Sequence, residues 1–156
     1  MLIEDYALIG DTHTAAVVGR DGSIDWLCLP RFDSPACFAA LLGDRSNGRW
    51  SITPAGPYRV EREYLPGTLV LATTFHTESG TARILDCMPV RSEAADVVRI
   101  VEGISGSVTF DMDLVVRFDY GSTVPWVRRM DGSLSLVAGP DALDLVTDVP
   151  IHGEDT

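Results

Sequence analysis

Ser107-Val108-Thr109-Phe110-Asp111-Met112-Asp113-Leu114-Val115-Val116-Arg117-Phe118 is the stretch that decides the fold. Val108, Phe110, Met112, Leu114, Val116 and Phe118 alternate with Ser107, Thr109, Asp111, Asp113, Val115 and Arg117. Successive side chains of a strand point to opposite faces, so six apolar groups share one face. The other face is mostly polar. This is the pattern of an antiparallel strand with one side on a core and one in water. Asp111 and Asp113 fall on the wet side and read as solvated residues, not as a catalytic carboxylate pair. The strand is expected at or near the centre of its sheet.

Turn signals on either side extend the pattern. Asp21-Gly22 separates Thr14–Arg20 from Ser23–Leu29, and Asp131-Gly132 separates Val124–Met130 from Ser133–Ala138. An Asp-Gly pair suits a tight hairpin turn, where both central residues take positive φ. Ser79-Gly80, between Leu69–Thr77 and Thr81–Asp86, reads the same way. So does Ser105-Gly106, which would join Val97–Ile104 to the strand at Ser107. Tyr58–Tyr64 and Asp141–Thr147, the latter after the Gly139-Pro140 break, add two more strands. About ten short strands joined by hairpins specify an all-β fold, an antiparallel sandwich or barrel. Trp26 shares a strand face with Ile24 and Cys28 and is expected to be a core aromatic.

One segment breaks the period. Ser34-Pro35-Ala36-Cys37-Phe38-Ala39-Ala40-Leu41-Leu42-Gly43 has a Ser N-cap, Pro at the first helical position and Gly past the end. Phe38, Leu41 and Leu42 stand at i, i+3 and i+4, so the spacing predicts a short helix over 35–42. Two turns are too few to stand alone in water. The helix must lie against the sheet or another domain.

Composition bounds the function. The 156 residues make one domain, 1–156, without a linker or low-complexity tract. There are 12 basic residues, all Arg, against 23 acidic ones, a formal net charge of −11. That sign excludes a nucleic-acid partner and disfavours an anionic membrane surface. No apolar run approaches the ~18 residues of a membrane span. The acidic start, Met1 to Tyr6, is unlike a secretory signal. Cys28, Cys37 and Cys87 are odd in number and lack C-x-x-C spacing, so they read as reduced core residues of a cytoplasmic protein.

No motif in the chain spells out a reaction. It has no Gly-rich phosphate loop, no G-x-S-x-G elbow and no H-x-x-x-H. Neither a metal site nor a cofactor is expected. His13, His76 and His152 read as surface or hydrogen-bonded residues. The segment that stands out is Pro30-Arg31-Phe32-Asp33, stiffened at its ends by Pro30 and Pro35. It combines a bidentate donor, an aromatic face and a carboxylate, the groups that hold sugar hydroxyls and stack on pyranose rings. Arg31, Phe32 and Asp33 are therefore the substrate-proximal candidates. Two readings stand open: the loop helps line a sugar site, or Arg31 and Asp33 pair locally while Phe32 packs beside the helix.

The words around that loop carry a resemblance. Ile3-Glu4-Asp5-Tyr6-Ala7-Leu8-Ile9-Gly10-Asp11, then Arg20-Asp21-Gly22-Ser23-Ile24-Asp25-Trp26-Leu27-Cys28, then Pro30-Arg31-Phe32-Asp33-Ser34-Pro35 occur in order. Gly48-Arg49-Trp50 and Tyr64-Leu65-Pro66-Gly67-Thr68 follow. The chain resembles the N-terminal region of trehalase-like and glucoamylase-like proteins of glycoside hydrolase family 15. The resemblance implies a supersandwich-like β-domain that precedes an (α/α)6 barrel, and the barrel supplies the two glutamates of an inverting mechanism. No position here matches either glutamate, so no catalytic residue is carried over. The expectation is a fragment, inactive alone, whose partners are the barrel of the same polypeptide and, through it, trehalose or an α-glucan. The alternative is a stand-alone carbohydrate-binding or protein-interaction β-sandwich module.

Overall fold

A computed structural model describes residues 1–130 and 132–153. In chain order the strands are β1 (Tyr6–Gly10), β2 (Ala15–Gly19), β3 (Ser23–Cys28), β4 (Ala36–Phe38), β5 (Arg49–Pro54), β6 (Arg59–Tyr64) and β7 (Leu71–His76). They continue as β8 (Gly80–Cys87), β9 (Val98–Gly106), β10 (Phe110–Val115), β11 (Trp126–Met130), β12 (Ser133–Ala138) and β13 (Asp141–Val146). All pairings are antiparallel. One sheet runs β1-β2-β3-β5-β10 with β4 also on β3, a second runs β6-β7-β8-β9, and a third is the meander β11-β12-β13.

The first two sheets face each other, and the meander closes part of the gap. Ile9, Val18, Ile24 and Leu27 of the first sheet share a core with Leu71 of β7, with Met88 just after β8, and with Leu136 of the meander. A second cluster joins Ile52 of β5 to Phe75 and Ile84, with Phe110 edge-on to Phe75 at 5.8 Å between ring centroids. Period two is what makes this possible. On β8, Ala82, Ile84 and Asp86 turn inward, while Arg83, Leu85 and Cys87 turn out.

Gly22 (φ +84°) between β2 and β3 and Gly132 (φ +79°) between β11 and β12 carry left-handed backbone, but Asp21 does not, so the first turn is not the expected one with positive φ at both central residues: the connection has three residues, and the Gly22 N–H donates to the Gly19 carbonyl. Asp131, the first residue of that second turn, lies outside the described residues. Ser79-Gly80 also turns the chain between β7 and β8. Ser105-Gly106 does not form a hairpin. Gly106 still pairs with Gly80 at the end of β9, and the chain then crosses to the other sheet. The period-two strand is accordingly β10, which pairs with β5 alone and lies at the sheet edge, not at its centre. Its faces follow the alternation, though as an edge strand it is covered only in part: Asp111 and Asp113 are exposed, Phe110, Met112 and Leu114 are half-buried, and Val116 and Phe118 beyond it are buried.

The helix over 35–42 is replaced by β4 and a single 3-10 turn at Ala40–Leu42. The physical reason is backbone satisfaction. Ala36 and Phe38 pair with Cys28 and Leu27, and the Ala36 and Cys37 carbonyls accept from the Tyr120 and Arg117 N–H groups. A two-turn helix would leave most of those groups without partners at a buried position. Phe38 is buried as expected, whereas Leu41 and Leu42 are exposed. Trp26 keeps Cys28 from its expected company but loses Ile24. A bulge makes Asp25 the extra residue of β3, so Ile24 and Leu27 both reach the main core. Trp26, half-buried, packs with Cys28 on Ala36 and Ala39 in a small cluster on the other side, near Tyr120.

Candidate functional site

The base of the Pro30–Asp33 loop is built by the β1–β2 turn. Asp11 Oδ1 accepts the His13 N–H at 2.9 Å and the Thr14 N–H at 2.8 Å. Its Oδ2 accepts Arg91 Nε–H at 2.8 Å, with Arg91 Nη2 at 2.7 Å. Burial opposes the charge of Asp11, and these donors outweigh it, holding the carboxyl below its usual range. Thr12, between them, takes φ +76°, a conformation costly for a branched residue. The turn then holds the loop at two points. Thr14 Oγ1–H donates to the Cys28 carbonyl at 2.6 Å, and the His13 carbonyl accepts the Phe32 N–H at 3.0 Å.

Above that base the loop closes on itself. Arg31 N–H donates to Ser34 Oγ at 3.2 Å, and Ser34 N–H donates to the Arg31 carbonyl at 3.1 Å. The Arg31 fork reaches Asp33 through Nε at 2.9 Å and Nη2 at 3.4 Å. The side chains of Arg31 and Asp33 are 68% and 73% exposed. The Arg31 guanidinium holds the Asp33 carboxyl below its ordinary value. Phe32 is 63% exposed, so its ring lies outside the sandwich core. Arg31 and Asp33 do pair locally, but Phe32 does not pack beside a helix. The three candidates stand together on one anchored turn, facing solvent.

The other polar residues of the quoted words are structural. Asp21 Oδ1 accepts Ser23 Oγ–H at 2.6 Å and Ser23 N–H at 3.1 Å, and its Oδ2 pairs with Arg49. Arg49 Nε also lies 2.8 Å from Asp25 Oδ1, while Tyr6 Oη–H donates to Asp25 Oδ2 at 2.8 Å. Burial, and then the Asp25 carboxylate, push the Tyr6 phenol well above its ordinary value. Burial works against the charge of Arg49, but Asp21 and Asp25 outweigh it and hold the guanidinium protonated.

The deepest pair was missed by sequence reasoning. Arg99 donates to both oxygens of Asp86, at 2.8 and 3.2 Å, and also to the carbonyls of Gly22 at 2.7 Å and Trp50 at 3.0 Å. It thereby ties the second sheet to the first. A signal existed: Asp86 falls on the same period-two face as Ala82 and Ile84, so a carboxylate is aimed into the core and needs a cation. Cys28 and Cys37 are buried free thiols, and burial pushes Cys37 up to about 12, which suits inert core residues. Among the described residues, no group of three metal-ligating side chains converges.

The comparisons agree with one another. The sequence matches the family described as trehalase-like, N-terminal, over residues 1–148. It is 36% identical to trehalase 1 of Sulfolobus acidocaldarius over 145 residues, covering 91% of this chain and 25% of that protein. Against the trehalase of Mycobacterium tuberculosis the identity is 35% over 141 residues, 76% of this chain and 20% of the relative. A trehalase of Thermoplasma volcanium is 28% identical over 158 residues, 96% of this chain and 25% of the relative. The chain thus spans a fifth to a quarter of the length of these relatives. No solved structure gives a significant match.

Proposed function

Because the chain belongs to the trehalase-like N-terminal family, we propose that it is the non-catalytic β-domain of a family 15 glycoside hydrolase acting on trehalose or a related α-glucan. The observation that carries this reading is coverage: the three relatives described above are trehalases, and this chain corresponds to only a fifth to a quarter of their length. The chemistry of the carboxylates supports it. An inverting hydrolase needs one carboxyl kept protonated near neutral pH and a second, ionised, ~6.5–9.5 Å away. Here the buried carboxylates Asp11, Asp25 and Asp86 are each committed to an arginine. The carboxyls with displaced proton affinity, Asp11, Asp33, Asp44 and Glu61, all move downward, the wrong direction for a general acid. The acid and the base belong to a catalytic part of the same polypeptide.

In this reading the Pro30–Asp33 loop is the point of approach to that part. Arg31 and Asp33 lose little by exchanging each other for sugar hydroxyls, because both are already hydrated. Phe32, with Leu41 and Leu42 a few residues on, offers exposed apolar surface that a neighbouring domain can cover. The 156-residue chain is assayed for glucose release from trehalose, maltose and starch, beside the polypeptide that includes the catalytic part. The expected result is release by the second and none by the first. Release by the homogeneous chain above an Arg31→Ala/Asp33→Ala control overturns the reading.

A further inference from the structure

The outer face of the β11–β13 meander is the surface that neither the sandwich core nor the Arg31 loop accounts for. Its register sets three rows of side chains across the strands. Trp126, Val137 and Ala142 form the first, Arg128, Ser135 and Asp144 the second, and Met130, Ser133 and Val146 the third. The alternate residues Leu136 and Leu145 are buried, so these rows are the outward set. Rows on one face of a strand are spaced by about 7 Å, and neighbours across strands by about 5 Å. Trp126 is 85% exposed, the most exposed aromatic side chain among the described residues.

We propose that this face is a sugar-binding platform, with Trp126 as the stacking surface and Arg128, Ser135 and Asp144 as the hydroxyl partners of a neutral oligosaccharide. The indole is broad and carries negative charge on its π face, which attracts the polarised C–H face of a pyranose. One row away, Arg supplies donors, a carboxylate supplies acceptors and a hydroxyl supplies both. Arg128 and Asp144 are exposed and Ser135 between them is half-buried. A sugar ring stacked on Trp126 places the hydroxyls of its neighbour over that polar row.

The same rows argue against other occupants. A protein docked here would have to bury Arg128 and Asp144, and charges taken out of water cost several kcal/mol each unless matched. A sugar leaves both at a wet edge. A second copy would bring together two chains of net charge −11, and the same charge repels an acidic ligand. The platform uses a different sheet and different residues from the Arg31 loop, so it stands or falls separately from the function proposed above.

The 156-residue chain is titrated with maltoheptaose and with cellohexaose, followed by calorimetry and by tryptophan emission. Binding of at least one probe is expected with Kd near the millimolar range, together with a change in the emission of the exposed indole. Trp126→Ala should weaken it at least tenfold and Arg128→Ala severalfold. Trp126 is solvent-facing, so its variant should melt close to the parent, which separates lost binding from lost folding. Equal binding by Trp126→Ala overturns the proposal, as does no binding of either sugar at about 10 mM. So does a result in which Trp126→Ala releases the chain from a separately expressed catalytic part, which would make the face an interdomain contact.

Discussion

Arg99–Asp86 inside the sandwich and Arg31–Asp33 on the loop are the same chemistry at nearly the same length, 2.8 and 2.9 Å. Their surroundings are opposite. The side chains of the first are 1% and 0% exposed, and the Arg99 guanidinium also lies 5.1 Å from the centre of the Trp50 ring. Arg99 also donates to the carbonyls of Gly22 and Trp50, the first of which accepts the Ile52 N–H as well, so the guanidinium is held on all sides. The second pair is hydrated and can be opened at little cost. One arginine–aspartate pair is therefore architecture, and the other is open to solvent. Burial, more than residue type or distance, separates the pair that holds this domain together from the pair that can be opened.

Removing Arg99 should break that contrast most sharply. Arg99→Ala leaves the Asp86 charge buried and unpaired, a loss of about 3–5 kcal/mol by chemical denaturation. A domain with only ~5–15 kcal/mol in total would be threatened by it. The double variant Arg99→Met/Asp86→Leu should recover a large part, since a well-packed apolar pair of similar volume is often tolerated. A loss below ~1 kcal/mol for Arg99→Ala would put the buried pair in the same class as the exposed one.

An intermediate case sharpens the comparison. Asp11 has no side-chain exposure and its partner Arg91 only a little. Arg91→Ala should cost about 1.5–3 kcal/mol, the worth of hydrogen bonds to a charged group. The pair also predicts a pH dependence. Asp11 binds its proton less readily folded than unfolded, so the stability it contributes is full above about pH 3.9 and is lost as pH falls through the lower folded value. The urea midpoint of the parent should therefore drop more between pH 7 and pH 3 than that of Asp11→Asn. Equal drops would remove Asp11 from the acid limb.

Arg31→Ala stands at the small end for stability. It should change the unfolding free energy by less than ~1 kcal/mol. A larger loss would show that the fork on Asp33 supports the loop and would erase the distinction from Arg99.

Much of this architecture was legible in the residues, and the misses have particular causes. Strands β6, β7, β8, β11, β12 and β13 fall close to the alternating runs, because period two needs no tertiary knowledge. Strand β10 was read with the correct faces but in the wrong place. Alternation says which side is buried, and only the crossover after Gly106, a tertiary event, says that its neighbour is β5. The stretch 35–42 was misread because cap residues and an i, i+3, i+4 stripe also fit a buried three-residue strand, and the competing pairing to β3 is long-range. At the loop, the sequence showed which residue types stood between two prolines. It could not show that Asp11 and Arg91, the latter 80 positions away from its partner, build the floor beneath them. It also placed no weight on Trp126, since a strand tryptophan reads as core until its face is known.

The account rests most directly on the claim that this domain has no catalytic group of its own and brings the Arg31 loop to a sugar held by the catalytic part. Steady-state kinetics on trehalose decide it, comparing Arg31→Ala with the parent in the polypeptide that includes that part, with the melting temperature measured on the same samples. The account predicts kcat/KM lower by about tenfold or more, equivalent to ~1.4 kcal/mol in the transition state, with the melting temperature nearly unchanged. An unchanged kcat/KM together with a clearly lowered melting temperature would contradict it.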